Sequence, residues 1–536
     1  MAPRVLVSDD LSPEGIEILR NAGLQVDVKV GVKPDELERI IADYDALAVR
    51  SATKVTGALL ERASRLKVVG RAGIGVDNVD LEAATRRGVV VMNTPGGSST
   101  TVAELALAHM LALARHVPQA TASVKAGRWE KKRFQGRELA GKTLGVVGIG
   151  AIGSVVVERC RAMRMRVIAY DPFIGAEASA RLGVTQVPLD ELWAQADVIS
   201  LHVPLTEQTR NLVDARALAR MKRGALLVNC ARGGLVDEQA LADALAAGRI
   251  GGAALDVFEQ EPPPAGHPLL ALDRFICTPH LGASTEEAQS AVSVAIAEQL
   301  AAYLTRGEVK NAVNLPSIPR EVMDSIAPYL ALAERLGSMA AQIAPPSVSE
   351  VRIELAGELS RGPHRAITAN VLKGLLRRVL DQPVNEVSAP TIARERGLTV
   401  REDLTPEAHD YVSLLTVMLR GAGGEATVAG TVFARRELRI VRVNQFRLEA
   451  VPEGEIILCE NDDLPGVVGQ LGTALGQAGV NIARIFLARD AQRGSAFSFI
   501  NVDSAAPPQL LEQLRRVPHV RDVRAIQLGS PERPIG

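Results

Sequence analysis

The sequence predicts an α/β protein in which two doubly wound parallel-sheet domains precede a mixed α+β domain and a C-terminal βαββαβ unit. Its 536 residues are too many for a single hydrophobic core. Short apolar runs alternate with helical patterns over residues 1–283, which is typical of parallel sheets covered by helices. A G-x-G-x-x-G turn at Gly148–Gly153 opens the second series, and a separate strand and helix pattern closes the chain.

Residues 1–98 are predicted to form the first parallel sheet. Its candidate strands are Val5–Ser8, Val26–Val30, Ala46–Val49, Lys67–Val69 and Val89–Met92. A Pro-Gly-Gly turn at 95–97 then interrupts the pattern. Thr101–Glu104 matches a capping box, which predicts the start of a helix that runs to about Arg115.

A second parallel sheet is predicted between residues 143 and 283. Its candidate strands are 143–148, 166–170, 197–203, 225–230, 252–257 and 275–278. A long helical pattern, Thr285–Leu304, follows and can return the chain to the first sheet. We therefore predict a discontinuous substrate-binding domain, 1–98 and 285–314, and a nucleotide-binding domain, 99–284. Ligands of α/β sheets bind in the crevice at the carboxyl ends of the strands, so a hinged cleft is expected between these domains.

Two further units are predicted after residue 314. β-like segments separated by helical pieces indicate a mixed α+β intervening domain over 315–452, and this part contains no chemical motif. Residues 453–536 show the order strand, helix, strand, strand, helix, strand, which is typical of a ferredoxin-like plait.

Composition and charge argue against several classes of function. The 61 Lys and Arg residues balance 62 Asp and Glu, so nothing suggests binding to nucleic acid or to a membrane surface. The N-terminus enters a strand without a signal-peptide pattern, and no apolar run reaches membrane-spanning length. Four widely spaced cysteines indicate a reducing compartment, so we expect a cytoplasmic location. The eight histidines lack metal-ligand spacing, so no metal site is expected.

A dinucleotide-binding fingerprint is the strongest functional signal. Gly148, Gly150 and Gly153 follow an apolar strand, and Asp171 ends the next apolar run eighteen residues later. The glycines allow a tight turn, close approach of the backbone to a pyrophosphate, and packing of the next helix, whose N-terminus favours an anion. Asp171 can accept hydrogen bonds from ribose hydroxyls and would repel a 2′-phosphate, so the pattern predicts NAD rather than NADP. The alternative is a glycine-rich turn in an ordinary α/β sheet.

Three chemically complementary side chains, Arg232, Glu261 and His280, each follow a predicted strand of this second sheet. Histidine suits proton transfer at neutral pH, and a neighbouring carboxylate fixes its tautomer. Arginine can hold a substrate carboxylate through two parallel hydrogen bonds. Each residue alone could be structural or solvated, but their common position predicts one catalytic cleft.

Arg50 and Arg71 end two strands of the first domain and would face that cleft from the opposite wall. A basic wall opposite a carboxylate-binding arginine suggests a substrate with a second anionic group, such as a phosphate. The alternative is a structural turn with solvated arginines. The basic cluster at Gly127–Arg133 is either a solvated loop or a supporting anion contact.

These motifs together resemble the D-isomer-specific 2-hydroxyacid dehydrogenase family. The matching segments are Gly148–Gly153 with Asp171, Val228–Gly234, Asp256–Pro262 and Thr278–Ala283. Arg50–Thr53 and Arg71–Asn78 resemble the substrate wall of the phosphoglycerate-oxidising members. The two C-terminal units resemble the allosteric substrate-binding domain and the ACT regulatory domain of the long form of those enzymes.

The resemblance implies NAD-dependent oxidation of 3-phosphoglycerate to 3-phosphohydroxypyruvate, the first step of L-serine biosynthesis. It implies that Arg232 binds the substrate carboxylate and that His280, paired with Glu261, is the general acid/base. The implied NAD contacts, besides the glycines of the turn, are Ala151, Ile152, Asp171, Cys230, Ala231, Asp256, Gly282 and Ala283. The implied substrate contacts are Arg50, Ser51, Arg71, Gly73 and Lys131, of which Lys131 could reach the phosphate from a neighbouring subunit.

The same resemblance implies a regulatory ligand. L-serine would sit between paired ACT domains, held by Asn461, Asp463 and Asn481. Asn461 stands where an aromatic residue or a histidine is expected. Pairing of ACT domains requires at least two chains, so we expect a homo-oligomer, either a dimer or a tetramer.

Other functions stay open at this point. The same chemistry could act on another 2-hydroxy acid, such as glycerate or 2-hydroxyglutarate, although such a substrate does not need a phosphate wall. A dinucleotide-sensing corepressor would share the fold and bind NADH with negligible turnover. The terminal plait could also bind an amino acid other than serine.

Overall fold

The computed structural model describes residues 2–315, 318, 320–380, 383–408, 410–490 and 494–529. The first sheet is parallel and has the strand order β2-β1-β3-β4-β5. Its elements are β1 Arg4–Val7, α1 Pro13–Asn21, β2 Gln25–Val28, α2 Pro34–Ile40, β3 Ala46–Val49, α3 Gly57–Arg62, β4 Val68–Arg71, α4 Leu81–Arg86 and β5 Val90–Met92. Val5 and Val7 of β1 face one core and Leu6 faces another, because helices cover both faces of the sheet.

Two helices, α5 Ser99–Arg115 and α6 Val117–Lys125, connect the first sheet to the second. The predicted capping box at Thr101–Glu104 is wrong, because α5 begins two residues earlier. The amide of Val102 already donates to the carbonyl of Ser98, so Thr101 lies inside the first helical turn.

The second sheet is a seven-stranded parallel sheet with the order β12-β11-β10-β9-β6-β7-β8. Its elements are β6 Thr143–Val147, α7 Ala151–Ala162, β7 Arg166–Tyr170, α8 Ala176–Leu182, β8 Thr185–Gln186, α9 Leu189–Gln195, β9 Val198–Leu201, α10 Ala215–Arg220, β10 Leu226–Asn229, α11 Glu238–Ala246, β11 Gly252–Leu255 and β12 Phe275–Cys277. The six predicted strands are confirmed. The sequence missed β8 because its two residues are exposed and form no apolar run.

The long helix α12, Glu286–Arg306, returns the chain to the first sheet as predicted. The side chain of Thr285 caps its start by accepting a hydrogen bond from the amide of Ala288. A Cβ at Gly70 in β4 would lie 2.8 Å from side-chain atoms of Ile296 and Leu300, so glycine permits this close packing. The chain therefore crosses twice between the two sheets.

The helix α13 Arg320–Ile343 leads into a six-stranded sheet with the order β14-β13-β15-β16-β17-β18. The further elements are β13 Val348–Gly357, α14 His364–Val379, α15 Ala389–Glu395, β14 Thr399–Thr405, β15 Ser413–Gly421, β16 Gly424–Phe433, β17 Glu437–Val443 and β18 Phe446–Ala450. The helices α13 and α14 pack closely, since a Cβ at Gly374 would lie 1.9 Å from the carbonyl oxygen of Glu334. The sheet is mixed, because only β13 and β14 run parallel.

The last unit is an antiparallel sheet with the order β20-β21-β19-β22. Its elements are β19 Gly454–Asp462, α16 Val467–Gln477, β20 Ile482–Asp490, β21 Ser495–Val502, α17 Pro508–Arg515 and β22 Val520–Leu528. This order confirms the predicted plait. The helices cover one face, and on the other face Phe497 stacks on Phe446 of the intervening sheet with ring centroids 5.0 Å apart.

The predicted domain limits at 98, 284, 314 and 452 stay predictions, and the predicted end of the last domain at 536 lies outside the described residues. Over the described parts of the chain, none of the helices has the combination of length and apolar character needed to cross a bilayer.

Candidate active site

The glycine turn after β6 has the geometry that a dinucleotide requires. Gly148 has a φ of 91°, and a Cβ there would lie 2.6 Å from the carbonyl oxygen of His202. A Cβ at Gly153 would lie 2.1 Å from the carbonyl oxygen of Gly148, so only glycine allows α7 to pack this closely. Gly150, by contrast, has open space where its Cβ would be, directly before α7. The turn therefore fits a pyrophosphate against the N-terminus of a helix.

Asp171 lies beside this turn, immediately after β7. One carboxylate oxygen accepts a hydrogen bond of 2.8 Å from the amide of Ile149, and the other accepts one of 2.9 Å from the amide of Phe173. Each oxygen keeps a second lone pair for a ribose hydroxyl. Ala151 and Ile152 form the first turn of α7, next to Gly150. These residues fit the adenosine half of NAD, whereas their direct contacts with it stay predictions.

The turn after β10 brings Cys230 and Ala231 to the same edge of the sheet. Both are buried, and burial raises the pKa of the Cys230 thiol well above its usual range, so the thiol stays neutral. Asn229 holds this turn, since its side chain accepts from the amide of Ala231 at 3.0 Å and donates to the carbonyl of Arg232 at 2.8 Å. The sequence reading missed Asn229, although a polar residue closing an apolar strand was the available signal.

Asp256 follows β11 and is only 1% exposed. Its carboxylate accepts hydrogen bonds from the Thr278 hydroxyl at 2.5 Å, from the Leu281 amide at 2.7 Å and from the Gly282 amide at 2.8 Å. Asp256 was predicted only as a cofactor contact, and a contact of Asp256, Gly282 or Ala283 with NAD stays a prediction. In the structure, Asp256 anchors the loop that carries His280.

His280 and Glu261 form the predicted pair. The Nδ1 atom of His280 lies 2.8 Å from Oε2 of Glu261, and their side chains are 50% and 40% exposed. The other carboxylate oxygen of Glu261 accepts a hydrogen bond from the amide of Phe258, which fixes the carboxylate plane. This pairing orients the imidazole through Nδ1, whereas a proton-transfer role of Nε2 stays a prediction.

Arg232 follows β10 and contacts the loop after β4 of the first sheet. Its Nε forms an ion pair with Oδ2 of Asp77, 3.0 Å away, and its Nη1 donates to the carbonyl of Ala231 at 2.7 Å. Asp77 lies in the loop after β4 and its side chain is 69% exposed. Because Arg232 follows β10, the ion pair joins the two parallel sheets. The sequence reading missed Asp77 as a partner because it belongs to the opposite sheet.

Arg71, Arg50 and Arg232 converge on one region of the cleft. Burial, Arg232 and Arg50 lower the pKa of Arg71 to about 10, although Asp77 opposes this shift. The Nε atom of Arg71 is buried and has no hydrogen-bond partner. A Cβ at Gly73 would lie 1.5 Å from Nη1 of Arg71, so the guanidinium can occupy this position only because residue 73 is glycine. Three cations, of which Arg232 is paired with Asp77, and an unpartnered buried donor on Arg71 are suited to an anionic ligand.

Hydrogen bonds with two buried polar side chains, Asp9 and Asn78, fix the loop that carries Arg50 and Ser51. The carboxylate of Asp9 accepts hydrogen bonds from the amides of Arg50 at 2.6 Å and of Thr53 at 3.1 Å. The amide group of Asn78 donates to the carbonyls of the same two residues. Ser51 is exposed at the tip of the loop. Asp9 and Asn78 were also missed, because their partners are far away in sequence.

Lys131 does not join this cluster within the chain. It begins a single helical turn, Lys131–Phe134, and its side chain is exposed. No hydrogen bond or ion pair among the described residues connects it to the arginines. A role from a neighbouring subunit stays a prediction.

The three predicted effector residues make separate contacts. Asn461 is buried, donates to the carbonyl of Asp462, and has a side-chain oxygen without a partner. Asp463 pairs with Arg489 at 2.7 Å. Asn481 donates to the carboxylate of Asp503 at 2.6 Å. Within the described parts of the chain, no hydrogen bond or ion pair joins the three side chains, so an effector role stays a prediction.

The fold and the site define a dehydrogenase of the 2-hydroxyacid class. Residues 107–282 match the D-isomer-specific 2-hydroxyacid dehydrogenase NAD-binding domain. Residues 325–444 match the D-3-phosphoglycerate dehydrogenase intervening domain, and residues 456–519 match the ACT domain.

Relatives that match nearly the whole chain identify the particular family within this class. The D-3-phosphoglycerate dehydrogenase of Archaeoglobus fulgidus is 42% identical over 98% of this chain and 100% of its own length. That of Methanocaldococcus jannaschii is 44% identical over the same shares. The NAD⁺-bound 3-phosphoglycerate dehydrogenase structure from Entamoeba histolytica is 30% identical, covers 59% of this chain and 99% of its own, and has a TM-score of 0.51. The chain belongs to the D-3-phosphoglycerate dehydrogenase family, which confirms the resemblance inferred from the motifs.

Proposed function

We propose that this chain is an NAD-dependent oxidoreductase that converts 3-phospho-D-glycerate to 3-phosphohydroxypyruvate, the first step of L-serine biosynthesis. The observation that carries the proposal is the convergence of Arg50, Arg71 and Arg232, together with the His280–Glu261 pair, which follows β11 and β12 at the same edge of the sheet as Arg232 after β10. A 2-hydroxy acid needs one carboxylate-binding cation and one proton acceptor. The additional cations and the unpartnered Nε of Arg71 favour a substrate that also carries a phosphate.

His280 performs the proton transfer in this proposal. Its Nδ1–H donates to Glu261, so the lone pair on Nε2 accepts the proton of the C2 hydroxyl during oxidation. Glu261 stabilises the imidazolium that results and keeps the ring in one orientation. In the reverse direction the imidazolium donates its Nε2 proton to the carbonyl oxygen. NAD, held at the glycine turn and Asp171, supplies the hydride acceptor.

The arginines divide the two anionic groups of the substrate between them. Arg232 follows β10, which neighbours β11 in the sheet that also carries the catalytic pair, so it binds the carboxylate and orients the reacting carbon. Arg50 and Arg71, with Ser51 and the backbone at Gly73, bind the phosphate from the opposite wall.

We further propose a homo-oligomer, a dimer or a tetramer, with L-serine as the effector of paired ACT domains. Asn461, Asp463 and Asn481 hold the effector, and Lys131 reaches the phosphate of a neighbouring subunit. The unsatisfied side-chain oxygen of Asn461 supports a polar ligand there.

The four unpaired cysteines support a cytoplasmic location. The proposed domains are 1–98 with 285–314, 99–284, 315–452 and 453–536.

The test is steady-state oxidation of NADH with 3-phosphohydroxypyruvate, with and without L-serine, alongside pyruvate and 2-oxoglutarate. Arg71→Met should raise KM for the phosphorylated substrate by roughly tenfold to a hundredfold, because a charge-assisted hydrogen bond contributes about 1.5–3 kcal/mol. The matched control is Arg216→Met, which removes a 91% exposed guanidinium that pairs with Asp214.

Each outcome decides a different part of the proposal. Turnover of 3-phosphohydroxypyruvate that serine suppresses supports both the reaction and the effector. Turnover that serine leaves unchanged supports the reaction and removes the effector. Preference for pyruvate or 2-oxoglutarate would reject the phosphorylated substrate. NADH binding without turnover of any of these acids would favour a dinucleotide sensor.

A further inference from the structure

A buried histidine lies behind the loop that carries His280. His109 is on α5, is 5% exposed, and its Nε2 lies 3.0 Å from the hydroxyl oxygen of Thr278. It also borders a cavity of about 560 Å³ between α5, α6 and β12, whose other lining residues include Gln119 and Phe275. None of the arginines or the catalytic pair lines that cavity. His109 therefore reaches the catalytic loop from outside the cleft.

The direction of the hydrogen bonds follows from the chemistry of the three groups. The carboxylate of Asp256 can only accept, so the Thr278 hydroxyl donates its single proton to it, at 2.5 Å. The Thr278 oxygen must then accept from His109 Nε2–H. Burial lowers the pKa of His109, although Asp256 opposes this shift, so the ring stays neutral at pH 7 and has one N–H to donate.

Asp256 transmits this arrangement to His280. Besides Thr278, its two carboxylate oxygens accept from the amides of Leu281 and Gly282, and its backbone carbonyl accepts from the amide of His280 at 2.9 Å. His280 has a φ of 55°, a left-handed conformation that is uncommon for a residue with a Cβ. The contacts around Asp256 constrain this conformation.

We propose that His109 is a positioning residue for the reaction: by donating to Thr278 it fixes the side chain of Asp256, and Asp256 holds the 278–282 turn so that His280 meets Glu261. This inference rests on the proposed function. Among the described residues, no hydrogen bond or ion pair connects the His109 side chain to the arginines, to Glu261 or to the glycine turn, so the hydrogen-bonded route from it runs through Thr278 and Asp256.

A double-mutant cycle tests the link. His109→Leu and Thr278→Val should each lower kcat about tenfold, the effect of a change of about 1.4 kcal/mol in the activation barrier, with less change in KM. The double variant should be no slower than the slower single variant, because both substitutions break the same connection. Thr278→Ser and His109→Gln, which keep a hydroxyl and an N–H donor, should recover most of the rate.

The matched control is Met110→Ala, which creates a cavity at the next buried position of the same helix. Met110→Ala should lower the melting temperature without the tenfold decrease in kcat that is expected for His109→Leu. Hydrogen exchange followed by mass spectrometry gives a readout that needs no turnover: amides in a 278–283 peptide should exchange faster in His109→Leu than in the wild type and in Met110→Ala.

Additive effects of His109→Leu and Thr278→Val on kcat would overturn the proposal. It would also be overturned if His109→Leu lowered kcat no more than Met110→Ala does. If the wild type turned over none of the tested acids, the proposed function would fail. Exchange at 278–283 would then decide the positioning role alone, and unchanged exchange in His109→Leu would reject it.

Discussion

Gly75→Ala is the substitution that tests the proposed role of Arg232 most directly. Gly75 lies in the loop after β4 and does not require a left-handed backbone, so alanine is compatible with its conformation. A Cβ at this position would lie 2.0 Å from Nη2 of Arg232 and 2.6 Å from Oδ2 of Asp77. The methyl group therefore occupies the place of the guanidinium.

The size of the effect follows from these distances. To reach ordinary van der Waals contact at 3.4 Å, the guanidinium must retreat by about 1.4 Å. A misplacement of about 1 Å costs on the order of a hundredfold in rate, which corresponds to about 2.7 kcal/mol in the activation barrier. We expect kcat/KM to fall by about a hundredfold, while the affinity for NADH stays unchanged because the glycine turn lies on the other sheet.

The assay is steady-state oxidation of NADH with 3-phosphohydroxypyruvate, combined with NADH binding followed by fluorescence. Gly472→Ala is the matched control, since a Cβ within α16 would meet no atom within 4 Å. Wild-type kcat/KM in Gly75→Ala would refute the reasoning, and so would a loss that is matched by weaker NADH binding.

Three further substitutions test the remaining chemistry. Glu261→Gln should lower kcat about a hundredfold without changing NADH affinity, because His280 loses its stabilising carboxylate; wild-type kcat would exclude this role. Asp171→Ala should weaken NADH binding and reduce the preference for NADH over NADPH, measured as the ratio of the two dissociation constants; an unchanged ratio would contradict the ribose contact. Burial and the hydrogen bond to Asp27 raise the pKa of Tyr44 to about 12, so folding favours the protonated phenol. This stability is complete below pH 10 and is lost as the pH rises towards 12, so the free energy of unfolding over that range should fall more in the wild type than in Tyr44→Phe; equal slopes would reject the assignment.

Local patterns predicted most of the fold and the core of the site. Apolar runs located the strands, because a buried parallel strand must be apolar along its length, and β8 escaped only because its residues are exposed. The glycine turn with Asp171 was recognisable because its constraints act within one strand–turn–helix unit. His280 and Glu261 were predicted from their positions after strands, since the carboxyl ends of parallel strands share one edge.

The partners of these residues were decided only by the tertiary structure. His109 and Thr278 are 169 residues apart in sequence, and Asp77 meets Arg232 across two domains. No periodicity in the chain encodes such pairs, because they depend on how separately folded sheets and helices pack against one another. The sequence by itself determined which chemical groups the site contains; the packing of α5 and of the two sheets determined what holds each group in place.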